Sequence, residues 1–176
     1  MRGDRAHHGS PGGWVMRFFE DIKVGDRREL GSFTFTAEGI KAFARQFDPQ
    51  RFHLDEEEGR KSLFGGLAAS GWHVASVFMR LLVADDQRRA KQLAARGEQV
   101  AMWGPSPGFR ELRWIKPVLA GDTISFVNEV VSKRTSDSRP GWGILQGRNS
   151  GTNQRGEEVF SFLATAFVPM RADFRT

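Results

Sequence analysis

Ser70-Gly71-Trp72-His73-Val74-Ala75-Ser76-Val77-Phe78-Met79-Arg80-Leu81-Leu82-Val83 is the stretch on which the fold turns. Ser70 is a residue that caps helices well. From Trp72 to Ala84 the segment is apolar on nearly every side of a helical wheel. Such a helix belongs at the centre of a domain, wrapped by other elements, with Trp72, Phe78 and Met79 read most simply as core. Its continuation from Asp85 to Arg96 is polar and rich in Arg and Lys, which predicts solvent exposure.

Upstream, Gly25-Asp26 reads as a turn and 27–35 (RRELGSFTF) as a strand with Leu30, Phe33 and Phe35 as its apolar positions. Thr36 is a candidate N-cap for a helix whose apolar face is Ile40, Phe43, Ala44 and Phe47. Pro49 disfavours helical geometry at Asp48, so that helix should end there. Residues 55–61 (DEEEGRK) read as a charged, helical surface turn, and Gly65-Gly66 breaks the chain again. After the Gly104–Gly108 loop the pattern becomes β: strands are expected at 109–118, 123–134, 142–152 and 158–168, in a meander. Strand, helix, buried helix and four strands are satisfied by an α+β fold: a single hotdog domain, with an antiparallel sheet wrapped around a long central apolar helix.

At 176 residues the chain fits one domain with a sizeable core. The lack of cysteine excludes disulfides, thiolate metal sites and a cysteine nucleophile. No apolar run approaches the roughly 20 residues needed to span a bilayer. The opening MRGDRAHHGSPGG has no hydrophobic segment of a secretory signal. Residues 1–15 therefore read as a flexible tail that includes His7 and His8, residues 16–176 as the domain, and the cytoplasm as the default location, with no membrane partner. The net charge of +5 raises the question of nucleic acid, but the basic residues alternate with acidic ones and form no arm. A nucleic-acid partner is not expected. Arg110/Arg113 and Lys133/Arg134/Arg139 are local basic spots that could meet the phosphates of an anionic handle.

The chemistry is concentrated in Phe47-Asp48-Pro49-Gln50-Arg51-Phe52-His53. On one continuous helix Asp48 and His53 would point apart, whereas a turned, proline-containing segment can bring them together. A carboxylate beside an imidazole can hold one water between a base and an acid, as addition of water to an activated double bond requires. The start of the following helix, at Gly71 and Trp72, offers backbone amides at the positive end of a helix to the oxygen of a polarised carbonyl. Taken singly, Asp48 reads as a turn carboxylate and His53 as a structural histidine; jointly they read as a site. His73 reads as a buried, hydrogen-bonded histidine. The Asp55–Glu58 run reads as a solvated face, and no metal site is expected.

From about Phe19 to Val168 the sequence resembles the MaoC-like dehydratases, which include the (R)-specific enoyl-CoA hydratases. The motifs are Asp48 and His53 at the family's spacing, Ser70-Gly71 where His-Gly is usual, and Leu112-Arg113-Trp114-Ile115-Lys116-Pro117-Val118 followed by Gly121-Asp122-Thr123. Gln50-Arg51 replaces the family's Asn-Pro, and Arg51 adds a charge beside the pair. The resemblance implies a homodimer, with higher homo-oligomers left open, that binds an acyl-CoA in a tunnel beside the dyad. It implies hydration of an enoyl thioester, or the reverse, by Asp48 and His53, with Gly71, Trp72, Ser76 and Arg51 in contact with substrate. Coenzyme A enters only as part of the substrate, and no other cofactor is expected. Two rivals share the fold: an acyl-CoA thioesterase and a non-catalytic acyl-CoA-binding subunit.

Overall fold

The computed structural model describes residues 17–171, so the expected tail at 1–15, with His7 and His8, lies outside the described residues. The strands are β1 (Arg27–Thr34), β2 (Gly108–Trp114), β3 (Thr123–Thr135), β4 (Trp142–Asn153) and β5 (Glu158–Pro169). Between β1 and β2 come α1 (Ala37–Phe47), α2 (Arg51–Leu54), α3 (Glu56–Lys61) and α4 (Gly71–Ala95). One antiparallel sheet in the order β1-β3-β4-β5-β2 packs against the long α4, the hotdog arrangement expected.

The expected four-strand meander is corrected in one place. β3, β4 and β5 do follow one another, but β2 does not join β3. β1 already occupies that edge, from Arg27 opposite Glu129 to Thr34 opposite Thr123, with Ser32–Ser125 and Thr34–Thr123 hydroxyl pairs at 2.8 Å. The free partner for β2 is the outer edge of β5, where Trp114 lies opposite Phe160 and Phe109 opposite Ala164. The sheet thus ends on β2.

The core is built where α4 crosses the sheet. Phe78, 1% exposed, meets Phe126, Phe160 and Phe162 with ring centroids 5.1–6.0 Å apart. Ile124 and Phe126 can lie flat on β4 because Gly151 has no side chain: a Cβ there would sit 2.9 Å from Ile124 Cγ2 and 3.0 Å from Phe126 Cε1. Burying one side chain of this size is worth about 1.5–3 kcal/mol.

Contrary to expectation, α4 is not buried all round. His73, Val74, Val77, Phe78 and Asp85 form its inward stripe, whereas Trp72, Met79 and Val83 are 54%, 51% and 43% exposed. One sheet face covers one side of a helix, and the opposite side stays open in a single chain. The polar half holds a second correction, since Asp85 is 3% exposed. Arg28, buried on β1, reaches it at 3.2 Å and Asp86 at 2.8 Å, while Arg89 of the same helix closes on Asp85 at 2.7 Å. A buried carboxylate persists only with such partners.

Candidate active site

Local rules place the dyad. Thr36 Oγ1 accepts the Gly39 N–H at 3.1 Å and starts α1, which stops at Phe47 before Pro49. Asp48 then leaves helical geometry (φ −153°, ψ 70°), and the short α2 turns His53 back toward it. Two backbone hydrogen bonds fasten the segment after α3: Ala68 N–H donates to Phe52 O at 3.2 Å, and Ala69 N–H to Val118 O at 2.7 Å. Those bonds bring residues 68–70 beneath the dyad, so that α4 begins there. Ser70 Oγ accepts the Trp72 N–H at 3.2 Å, the cap expected of it.

His53 Nε2 lies 3.4 Å from Asp48 Oδ2, and the imidazole is 6% exposed. Its Nδ1 is 2.7 Å from the carbonyl oxygen of Ala68. A carbonyl oxygen only accepts, so Nδ1 carries a proton, and in the neutral ring Nε2 presents a lone pair to the carboxylate. Two acceptors at that separation are reconciled by a shared proton or by one water that donates a hydrogen to each. Burial pushes the Asp48 carboxyl upward, but the neighbouring Ser70 hydroxyl, the Gln50 amide and His53 together hold it below the ordinary aspartate range. The Gln50 contact is a hydrogen bond from Nε2 to Oδ1 of 2.8 Å. Asp48 is therefore a standing carboxylate at neutral pH.

Both side chains line a cavity of about 610 Å³ whose apolar walls include Phe52, Phe64, Val118 and Val159. Gly71 and Trp72 line it too. As the first residue of α4, Gly71 has an N–H with no intrahelical acceptor. The Trp72 N–H is partly engaged by Ser70, which narrows the expected pair of carbonyl-receiving amides to Gly71 first. The Trp114 indole lies directly over Gly71: a Cβ there would stand 2.5 Å from its Nε1, so only glycine fits. Trp72 and Trp114 meet edge to face with centroids 5.3 Å apart.

Two expected contacts are not brought to this cavity. Arg51 is exposed on α2 and does not line it. Ser76 turns back on its own helix, Oγ donating to Trp72 O at 2.7 Å, a bond that a serine in mid-helix makes readily. His73 also faces away, stacked on Phe43 (4.6 Å between centroids) and against Phe35 (5.0 Å). Among the described residues its Nδ1 finds no hydrogen-bond partner, which corrects the hydrogen-bonded reading. Burial, then the charge of Arg80, lowers its pKa to about 4. The acidic run is solvated as expected: Asp55 caps α3 by accepting from the N–H groups of Glu57 and Glu58.

Gln50 and Trp114 entered the sequence reading only as motif positions with no role at the site, and the Ala68 carbonyl not at all. Gln50 had a usable signal, a side-chain amide two residues beyond a carboxylate across a proline. Trp114 had only the glycine it covers. Among the described residues no group of three or more candidate ligands gathers for a metal, and no helix is long and apolar enough to cross a membrane.

A family model described as "MaoC like domain" matches residues 21–141. The solved structure of a MaoC-like dehydratase from Rhodospirillum rubrum is 39% identical, superposes with a TM-score of 0.71, and covers 88% of this chain and 98% of that one. An uncharacterized Bacillus subtilis protein, YdeM, is 27% identical over 141 residues, 80% of this chain and 91% of its own. Mesaconyl-CoA hydratase of Cereibacter sphaeroides is 36% identical over 64 residues, which are 36% of this chain and 18% of that protein.

Proposed function

The chain belongs to the MaoC-like domain family, and on that premise we propose that it is a hydro-lyase that adds water to a 2-enoyl-CoA, or removes it from the 3-hydroxyacyl-CoA. The observation that carries the reading is the pairing of His53 Nε2 with Asp48 Oδ2 at 3.4 Å, while Nδ1 is committed to Ala68 O. Two acceptors so placed hold one water by both of its hydrogens and aim its oxygen lone pair outward. As that oxygen bonds to C3 of the enoyl thioester, the pair takes one proton from the water and delivers one to C2. H and OH are added across the double bond, and the pair ends as it began. The charge that develops on the thioester oxygen goes to the Gly71 N–H at the positive end of α4.

The match to mesaconyl-CoA hydratase, whose name puts a CoA thioester through a hydratase, supports the same reaction class. The apolar walls around the dyad suit an acyl group, and a location in the cytoplasm suits such a substrate. The partner we assign is a second copy of the chain: β2 leaves one strand edge open, flanked by Phe109 (59% exposed), Trp114 (44%) and Trp72 (54%). A sedimentation experiment giving a monomer at micromolar concentration would remove that assignment.

The reaction itself is tested by incubation with 2-enoyl-CoA esters of graded length and branching, following the conjugated thioester absorbance and free thiol together. Loss of absorbance without thiol is expected. Thiol release would make the protein a thioesterase, and tight binding without either change would make it a non-catalytic acyl-CoA-binding subunit.

A further inference from the structure

The start of α4 offers the thioester oxygen one amide without a rival acceptor. The Gly71 N–H has no intrahelical partner, whereas the Trp72 N–H is engaged by Ser70 Oγ at 3.2 Å. An oxygen that takes on enolate charge has lone pairs for more than one donor, so a second N–H beside Gly71 has a use there. The indole that lies over Gly71 carries one. A Cβ on Gly71 would stand 2.5 Å from Trp114 Nε1, and within one residue the nitrogen and Cβ are about 2.5 Å apart. The Gly71 and Trp114 nitrogens are therefore separated by no more than about 5 Å. Two donors that each reach one oxygen at about 2.9 Å can lie up to about 5.8 Å apart, so one oxygen is within reach of both.

The ring is held in that place. Trp114 lies opposite Phe160 on β5, Ile115 N–H donates to Val159 O at 2.9 Å, and Trp72 braces the indole edge to face at 5.3 Å. Trp114 lines the same cavity as Asp48, His53 and Gly71. An indole nitrogen only donates. Among the described residues no acceptor is found for this one, whereas Trp103 gives its hydrogen to Arg17 O at 3.1 Å. The Trp114 side chain is 44% exposed in the open cavity, where bulk water serves the N–H. An acyl group seated there expels that water and leaves the N–H unpaired, at a cost, unless the substrate itself accepts. We propose that the Trp114 indole N–H is the second donor to the thioester oxygen, acting beside the Gly71 N–H on the charge that develops as water adds. This rests on the hydratase reading above.

Trp114→Phe keeps a ring over Gly71 and removes the N–H. It is expected to lower kcat by about 10²- to 10³-fold, as loss of one such donor does, with KM within about 3-fold of the parent. Nitrogen-15 labelling of tryptophan reads the contact without turnover. The chain has five tryptophans, and the indole signal missing from Trp114→Phe is that of Trp114. Trp114→Leu identifies the same signal should the phenylalanine variant fail to fold. The probes are butyryl-CoA and octanoyl-CoA, saturated thioesters with a carbonyl and no double bond to hydrate. With either at saturation, the Trp114 indole proton should move downfield. A signal unmoved by both would overturn the proposal, as would a folded Trp114→Phe with the kcat of the parent. The two levels separate cleanly. If the parent hydrates no 2-enoyl-CoA and the signal still moves, the hydratase reading fails and the thioester contact stands; if the parent hydrates and the signal is unmoved, only the role of Trp114 fails.

Discussion

The Nδ1 of His53 lies 2.7 Å from the carbonyl oxygen of Ala68. That single bond turns a histidine beside an aspartate into a directed site. It fixes which nitrogen holds the resting proton, and it fastens the ring to the segment that starts α4, so the dyad and the helix end move together. Without it the imidazole could turn its protonated nitrogen toward Asp48 and donate to the carboxylate directly, leaving no second acceptor for a water.

Gln50 should tune the pH range of the reaction. Asp48 is depressed in the folded protein, so its carboxylate persists above the unfolded value and is lost only as pH falls through the lower folded value. Gln50→Leu removes the 2.8 Å donor to Oδ1. The acid limb of kcat/KM should then rise by about half a pH unit to one unit, with the alkaline limb unmoved. A pH–rate profile of the two proteins is the check.

His73 should make the fold sensitive to mild acid. The ring is 8% exposed among Phe33, Phe35 and Phe43, with Arg80 as the neighbouring charge, and its pKa falls from 6.5 to about 4. Between those values the unfolded chain binds the proton and the folded one does not, so stability is full above pH 6.5 and declines as pH falls toward 4. The loss should be on the order of 1–3 kcal/mol. His73→Phe, which keeps the stacking on Phe43, should flatten the dependence; urea midpoints at pH 7 and pH 5 measure it.

Gly71→Ala should be more harmful than a substitution at a helix start normally is. The new methyl would meet Trp114 Nε1 at 2.5 Å and Cδ2 at 2.6 Å, so the indole or the helix end must shift. Overpacking of this kind costs about 1–3 kcal/mol. Combining it with Trp114→Leu should recover stability, since the clash is the cause, and a double-mutant cycle by thermal melting reads the coupling.

Much of this was legible because it obeys local rules. Thr36 and Ser70 cap the helices they precede, Pro49 ends α1, and the turn it forces carries Asp48 to His53. The features that escaped depend on contacts between distant segments. Asp85 looked solvated because its buried partner Arg28 is 57 residues away. β2 looked like a neighbour of β3 because nothing in either strand records that β1 holds that edge. Ser76 and Arg51 were expected in contact with substrate, but the helical phase of α4 and the turn of α2 send one onto its own backbone and the other to solvent. Phe47, read as the end of an apolar face, is 63% exposed, its ring resting on Phe43 with centroids 4.9 Å apart.

The most direct measurement is turnover of 2-enoyl-CoA esters by the parent, Asp48→Asn and His53→Asn, each verified as folded. The dyad predicts loss of the conjugated absorbance with the parent and a fall of about 10²- to 10⁴-fold in each variant, the usual worth of a positioned acid–base group. Turnover undiminished in both variants would contradict it.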